Sequence, residues 1–222
     1  MIELCEVSIK AGGFSLSDVS FEVKAGEYAV LMGKTGCGKT TILEAICGLR
    51  RVTSGRILLD GKDVTSLPPA QRRAGFVPQD LALFATMSVR KHLEFGPRRH
   101  GFEAERIASK VEELSGLLGI GGLLERKPGG LSGGEAQRVA LGRALAFEPN
   151  VLLMDEPFSA LDEWTREEMY RLLKNVKRST GVTVLHITHS KAEADALGDR
   201  RFLLVDGRLE EAGAEAANTD LS

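Results

Sequence analysis

Eight consecutive residues have the types and spacing that bind phosphate groups: Gly33-Lys34-Thr35-Gly36-Cys37-Gly38-Lys39-Thr40. The glycines let the backbone adopt turns in which successive N–H groups converge on an anion. The second lysine supplies a positive charge for the β- and γ-phosphates, and the last threonine hydroxyl is a ligand for Mg²⁺. We predict that this phosphate loop, extended by Thr41, binds a nucleotide.

The segments on either side fit the strand and helix that such a loop requires. Before it, Tyr28-Ala29-Val30-Leu31-Met32 is apolar and predicts a buried strand. A helix that begins near Gly38 would add N–H donors and the positive end of its dipole. Its predicted apolar face comprises Ile42, Leu43, Ala45, Ile46 and Leu49. The alternative is a glycine-rich turn with an accidental lysine, and the flanking pattern disfavours it.

Two adjacent carboxylates follow a second apolar run, Val151-Leu152-Leu153-Met154-Asp155-Glu156. The pattern predicts a buried strand with both acids at its carboxyl end, where α/β sheets bind ligands. There Asp155 would help to hold Mg²⁺ opposite the loop threonine, and Glu156 would accept or orient the proton of an attacking water. The alternative is that both acids cap a helix or face solvent.

Single polar residues follow two further predicted strands. Gln79 comes directly after Gly75-Phe76-Val77-Pro78, and His189 comes directly after residues 182–188. At the carboxyl end of a parallel strand a side chain faces the ligand, and a histidine there can donate a hydrogen bond to the γ-phosphoryl group. Taken alone, Gln79 could equally be a surface residue on a loop, and His189 could equally be a structural or solvated histidine.

A second glycine pair lies at the predicted start of a helix, in Leu131-Ser132-Gly133-Gly134-Glu135. Backbone N–H groups and a serine hydroxyl at a helix start form an anion site. A serine followed by a glutamate three residues later is also typical of a capping box, in which the two residues only stabilise the helix. The local sequence leaves both interpretations open.

The chain divides into predicted regions around these motifs. Residues 1–80 and 150–211 combine an antiparallel β subdomain with the strands of an α/β core. Residues 81–149 form an inserted helical subdomain, and residues 212–222 form a frayed tail.

Apolar residues at the start of the insert have two open interpretations. They either line an exposed groove for a partner or belong to the core, and they comprise Leu81, Leu83, Phe84 and Met87. The basic cluster Arg98-Arg99-His100 predicts a solvated loop.

Composition excludes several classes of protein. The 222 residues contain 29 Lys and Arg against 31 Asp and Glu, so nothing indicates electrostatic capture of nucleic acid. No apolar run approaches the ~20 residues of a membrane span, and the N-terminus lacks a signal-peptide pattern. We therefore expect a cytoplasmic protein. Cys5 and Cys47 are predicted to face the core.

Together the motifs resemble those of ATP-binding subunits of ABC transporters. The phosphate loop, Gln79, LSGGE, VLLMDEP, SALD and His189 occur in the family's order across essentially the whole chain. The stretches LLDGKDVTSLPPAQRRAGFVPQDLALFATMSV and VLHITHSKAEADAL are most similar to importer ATPases of the molybdate/tungstate group, followed by sulfate, polyamine and sugar importers. The resemblance implies an α/β fold: a P-loop NTPase core with an antiparallel β subdomain and an inserted helical subdomain.

The resemblance also implies an assembly. Two copies would dimerise head-to-tail around two ATP molecules with Mg²⁺. Residues 33–41 of one subunit would bind the phosphates of ATP. Ser132, Gly133 and Gly134 of the other subunit would close on the γ-phosphate of the same ATP. The resemblance therefore favours the anion-site interpretation of this second glycine pair. Asp162 would lie in the loop that crosses between subunits. A transmembrane permease would dock in the groove near residues 79–87, placing the protein peripherally on the inner face of the cell membrane.

Catalytic roles follow from the same resemblance. Thr40, Gln79 and Asp155 would serve Mg²⁺, and Glu156 would act as general base. His189 would position the γ-phosphate and water. Hydrolysis of ATP would then reset the permease.

Three features depart from the family pattern. An aromatic residue that stacks on adenine is absent at Lys10-Ala11-Gly12, and Phe14 is the nearest ring. Glu135 replaces the commoner glutamine of the signature. The sequence ends soon after the core, so regulation through a C-terminal domain is not expected. The alternatives are a soluble ABC ATPase without a transport role and a degenerate regulatory binding module.

Overall fold

The structure is a computed structural model that describes residues 1–212, so nearly all of the predicted tail lies outside the described residues. A four-stranded antiparallel sheet has the order β2-β1-β4-β5. Its strands are β1 (Ile2–Ala11), β2 (Phe14–Val23), β4 (Ser54–Leu59) and β5 (Lys62–Asp63). As predicted, Gly12-Gly13 joins the first hairpin and Asp60-Gly61 joins the last.

A six-stranded sheet of order β10-β9-β3-β8-β7-β6 forms the second layer. Its strands are β3 (Tyr28–Gly33), β6 (Ala74–Val77), β7 (Val151–Asp155), β8 (Thr183–Ile187), β9 (Arg200–Val205) and β10 (Arg208–Glu211). All neighbours are parallel except the hairpin of β9 and β10. Asp155 pairs with Ile187, so β7 and β8 end at the same edge of the sheet.

Helices cover both faces of this sheet. They are α1 (Lys39–Cys47), α2 (Val89–Arg99), α3 (Ala104–Leu118), α4 (Gly133–Leu145), α5 (Glu163–Thr180) and α6 (Lys191–Leu197). Alternate residues of β3 enter different cores: Ala29 and Leu31 pack with α1 and the antiparallel sheet, whereas Tyr28 and Val30 pack with α2 to α6. The arrangement confirms the predicted α/β fold class.

Three local predictions were wrong. Leu49 lies beyond α1 and is 58% exposed, because the helix ends at Gly48 in a left-handed conformation. The predicted basic loop is instead the last turn of α2 with His100 as its cap, and the His100 ring stacks on Phe147 with centroids 4.7 Å apart. Cys47 is buried as predicted, but Cys5 is half-exposed.

Across residues 1–212, no helix combines the length and the apolar composition needed to cross a membrane.

Candidate active site

One cavity collects the chemistry-bearing residues at the carboxyl edge of the six-stranded sheet. Its volume is about 690 Å³. It is lined by Ala11, Phe14, Gly33, Lys34, Thr35, Gly36, Gly38, Lys39, Thr40, Thr41, Gln79, Glu156 and His189. Strands β3, β6, β7 and β8 thus bring together predicted site residues that are far apart in sequence.

The phosphate loop folds as the sequence predicts, between β3 and α1. Gly38 caps α1 with φ 106°, and a Cβ there would lie 2.7 Å from the Phe14 ring. Lys39 is only 5% exposed. Its Nζ donates to the carbonyls of Gly33 at 2.8 Å and Lys34 at 2.9 Å, so the ammonium group is held at the floor of the cavity. Cys37 does not line the cavity: its Sγ lies against Gly33, and its N–H donates to the carbonyl of Lys34 at 3.3 Å.

Asp155 lies behind the cavity at the end of β7 and is 5% exposed. Burial raises its pKa and the charge of Glu156 raises it further, whereas a hydrogen bond with Thr40 acts in the opposite direction. The net result is a pKa above the ordinary aspartate value. The contact brings a hydroxyl and a carboxylate oxygen together directly beneath the phosphate loop.

Glu156 is held in an unusual backbone conformation next to this pair. Its φ is 42°, a left-handed value that a glutamate rarely adopts. Its N–H donates to the carbonyl of Ile187 at 3.0 Å, which ties it to the end of β8. The carboxylate Oε2 lies 3.3 Å from Nδ1 of His189. The two side chains therefore face the same space from adjacent strands.

The segment Leu131-Ser132-Gly133-Gly134-Glu135, here called the signature loop, and Asp162 do not reach this cavity within one chain. Ser132 and Gly133 are exposed at the start of α4, and Asp162 caps α5 through a 2.9 Å hydrogen bond from the N–H of Thr165. The two helix starts are in contact, since a Cβ on Gly134 would lie 2.7 Å from Cγ2 of Thr165. The predicted residues therefore form two groups on different surfaces.

The capping box at α4 is present. The N–H of Ser132 donates to Glu135 Oε2 at 2.7 Å, and the N–H of Glu135 donates to Ser132 Oγ at 3.3 Å. The backbone hydrogen bond from Ser132 lowers the pKa of Glu135. The capping role is thus present, and Ser132 and Gly133 stay exposed while the box is formed.

Comparisons with known proteins identify the family. The family model described as ABC transporter matches residues 16–159. The chain belongs to the ABC transporter family. It is 48% identical over 200 residues to a molybdate/tungstate import ATP-binding protein of Thermococcus kodakarensis, covering 90% of this chain and 61% of that protein.

Other relatives of this ABC family member agree. A sulfate/thiosulfate import ATP-binding protein of Caulobacter vibrioides is 47% identical, with 90% of this chain and 60% of the relative covered. The solved ATP-binding cassette MJ0796, a dimer in a post-hydrolysis state bound to ADP and Pi, has a TM-score of 0.82 at 31% identity, covering 96% of this chain and 100% of that one. The chain spans about three fifths of the length of the curated relatives it matches.

Sequence reasoning missed part of the site. Ala11 bears no functional group that would assign it to the site from sequence, yet it lines the cavity beside Phe14. The sequence signal for this part of the site is the aromatic residue Phe14, whose ring lies close to Gly38 of the phosphate loop. The two interpretations left open for the apolar residues 81–87 each hold for part of the segment: Leu81 and Leu83 pack against the core, whereas Phe84 is 40% exposed.

Proposed function

We propose that this chain is the ATP-hydrolysing nucleotide-binding subunit of an ABC importer, working as a head-to-tail homodimer around two Mg-ATP. The observation that carries the proposal is the split of the site. The phosphate loop, Gln79, Glu156 and His189 line one cavity, whereas Ser132 is exposed on another surface. A second copy of the chain completes the cavity by placing its signature loop over the bound triphosphate.

The cavity suits a nucleoside triphosphate. The ammonium group of Lys39 is held where the β- and γ-phosphates approach the loop, and the start of α1 directs its dipole at them. Phe14 supplies the aromatic surface for the base, because its ring lies in the same cavity. The solved relative MJ0796 carries ADP and Pi, which supports ATP as the substrate.

The residues present also fit Mg²⁺. Thr40 and Asp155 are in hydrogen-bond contact beneath the loop, and Gln79 lines the same cavity. Hydroxyl, carboxylate and amide oxygens are hard ligands, which Mg²⁺ prefers together with phosphate oxygens. When bound, the ion neutralises charge on the transferred phosphoryl group. These three residues are its proposed protein ligands.

Hydrolysis uses the carboxylate at the end of β7. Glu156 accepts the proton of the attacking water, and its tie to Ile187 fixes the carboxylate in place. His189, 3.3 Å from that carboxylate, orients the water and the γ-phosphate. Asp162 and the signature loop of the second copy complete the positioning. Product release then lets the two copies separate.

A permease docks in an apolar groove to which Phe84 contributes from the predicted segment 79–87. The groove has a volume of about 320 Å³ and includes Phe84, Phe95 and Phe147 in its lining. Phe84 and Phe95 are 40% and 41% exposed, an unusual amount for neighbouring phenylalanines. The groove is framed by Arg143, which donates to the carbonyl of Leu81 at 2.9 Å. Through this contact the protein associates with the inner face of the membrane from the cytoplasm.

We propose an oxyanion such as molybdate or tungstate as the transported substrate. The relatives named for molybdate/tungstate and for sulfate/thiosulfate import both handle oxyanions, and the first group is slightly more similar to this chain. A sulfate importer is therefore the second candidate. Co-purification with a permease separates either importer from a soluble ABC ATPase, because only an importer subunit is retained by a permease.

The test is ATP turnover by the purified chain with Mg²⁺. We expect hydrolysis that EDTA abolishes, and we expect Lys39→Ala to weaken ATP binding because the cavity loses its fixed cation. A matched control is Lys174→Ala, an exposed lysine on α5 outside the cavity. A chain that binds no ATP, or whose affinity is unchanged by Lys39→Ala, would contradict the proposal.

A further inference from the structure

A buried polar cluster lies directly behind His189. It is formed by Arg166 and Tyr170 of α5, His186 of β8 and Glu193 of α6. Within residues 1–212, the buried side-chain nitrogen and oxygen atoms that lack a hydrogen bond are Arg166 Nε, Tyr170 Oη, His186 Nε2 and Glu193 Oε2. All four belong to this cluster. Buried polar atoms without hydrogen bonds cost stability, so their concentration at one place indicates a purpose other than stability.

Glu193 holds the segment that carries His189, residues 188–190, here called the His189 loop. Its carboxylate is hydrogen-bonded with the Thr188 hydroxyl. Its N–H donates to Ser190 Oγ at 3.3 Å, and the N–H of Ser190 donates to Thr188 Oγ1 at 3.0 Å. The carboxylate of Glu193 is thus linked to the His189 loop through the Thr188 hydroxyl, whereas its backbone N–H contacts Ser190 as the N-cap bond of α6.

Arg166 holds the segment before α5, residues 159–162, here called the crossing loop. Its Nη2 donates to the carbonyl of Leu161 at 2.9 Å, one residue before Asp162. Its Nε lies 4.0 Å from Oε1 of Glu193, within ion-pair distance. A cavity of about 260 Å³ between the two loops is lined by both of these side chains and by Glu156. The pair thus bridges the two loops next to the catalytic carboxylate.

The charge of Glu193 is retained in this buried position. Burial raises its pKa, but the contact with His186, the hydrogen bond with Thr188 and the charge of Arg166 outweigh burial and hold the pKa below the ordinary glutamate value. His186 Nε2 is 3.3 Å from Glu193 Oε2, but the two atoms are not aligned as a hydrogen bond. A buried polar contact of such loose geometry contributes little net stability.

We propose that Arg166 and Glu193 are positioning residues that fix the crossing loop and the His189 loop relative to each other for ATP hydrolysis. The inference rests on the proposed function, since its effect is on ATP turnover. Neither residue lines the nucleotide cavity. Their loss should therefore slow the chemical step and leave ATP binding nearly unchanged.

The test is a double-mutant cycle with Arg166→Met, Glu193→Gln and the double variant, measuring kcat and KM for Mg-ATP. We expect each single variant to lower kcat by about tenfold or more with KM changed less than about twofold, because small misplacements slow chemistry without removing binding contacts. The double variant should be no slower than the worse single one, because the same bridge is already broken. If Arg166→Met does not fold, Arg166→Lys replaces it in the cycle. Lysine keeps the positive charge but lacks the planar guanidinium group with its several N–H donors, so kcat should fall in this variant as well.

The matched control is Tyr28→Phe. It removes the 2.9 Å hydrogen bond between Tyr28 Oη and His186 Nδ1 on the side of the ring away from Glu193. This control should keep the wild-type kcat. Wild-type kcat in the single variants, or losses that multiply in the double variant, would overturn the inference. A wild-type chain without ATP hydrolysis would instead overturn the proposed function.

Discussion

The phosphate loop and the signature loop are both glycine-rich segments at the start of a helix, yet Gly38 of the first and Gly133 of the second have different surroundings within the chain. A Cβ on Gly38 would strike the Phe14 ring at 2.7 Å, and its φ of 106° disfavours other residues. A Cβ on Gly133 would meet only Leu161 at 3.6 Å, an ordinary contact, without a left-handed φ. The fold of the chain itself therefore requires the first glycine but not the second. A glycine that its own subunit does not require is explained by a group that approaches the backbone from outside.

The largest expected effect concerns Glu156, which lines the same cavity as the phosphate loop. Glu156→Gln should retain ATP binding but lower kcat by about a thousandfold, because general-base catalysis is lost while the cradle is intact. The variant should also accumulate as an ATP-bound dimer, measured by size-exclusion chromatography with light scattering. Glu105→Gln, which neutralises an exposed carboxylate on α3, is the control. Steady-state hydrolysis at the wild-type rate in Glu156→Gln would refute the assignment of the base.

An intermediate effect separates the two glycines directly. Gly133→Ala should raise the free energy of unfolding by up to about 1 kcal/mol, because alanine favours the helix. Its ATP turnover should fall about tenfold, because the added methyl group blocks the approach of the nucleotide bound by the partner subunit. Gly38→Ala should instead lower the free energy of unfolding by about 1–3 kcal/mol. Thermal unfolding and ATPase assays on both variants measure the difference. If Gly133→Ala leaves turnover unchanged, the signature loop does not meet a ligand.

Much of the candidate site could be predicted because its signals are local. The phosphate loop, its strand and its helix are contiguous, and Asp155 and Glu156 directly follow a short apolar run, which is typical of a buried strand. Strand ends in an α/β fold meet at one edge, so Gln79 and His189 could be placed there as well.

The remainder depends on packing between distant segments. Leu49 continues the helical spacing of α1, but Gly48 ends the helix first. Arg166 and Glu193 are polar residues on separate helices, and nothing in their local sequence indicates that α5 and α6 bury them together. The exposure of Phe84 likewise depends on Phe95 and Phe147, which reach the groove from other elements.

The smallest expected effect concerns the cap of the signature helix. The hydrogen bond from Ser132 lowers the pKa of Glu135 in the folded chain, so its contribution to stability is present above the ordinary value of 4.5 and is lost as the pH falls through the lowered folded value. Glu135→Gln should match wild-type stability at neutral pH, because glutamine also accepts from Ser132. The unfolding midpoint of Glu135→Gln should not show the decrease in acid that protonation of Glu135 causes in the wild type. Thermal unfolding from pH 7 to pH 3 measures both curves, and identical acid profiles would contradict the assignment.

Mixing two inactive variants tests the composite site most directly. Lys39→Ala disables the phosphate loop, and Ser132→Arg blocks the signature loop, so each variant alone should show almost no ATP turnover. Random pairing of equal amounts makes half of the dimers mixed, each with one intact site of two, and should restore about one quarter of the wild-type turnover. A mixture no more active than its separate components would contradict the claim that the site is shared between two copies.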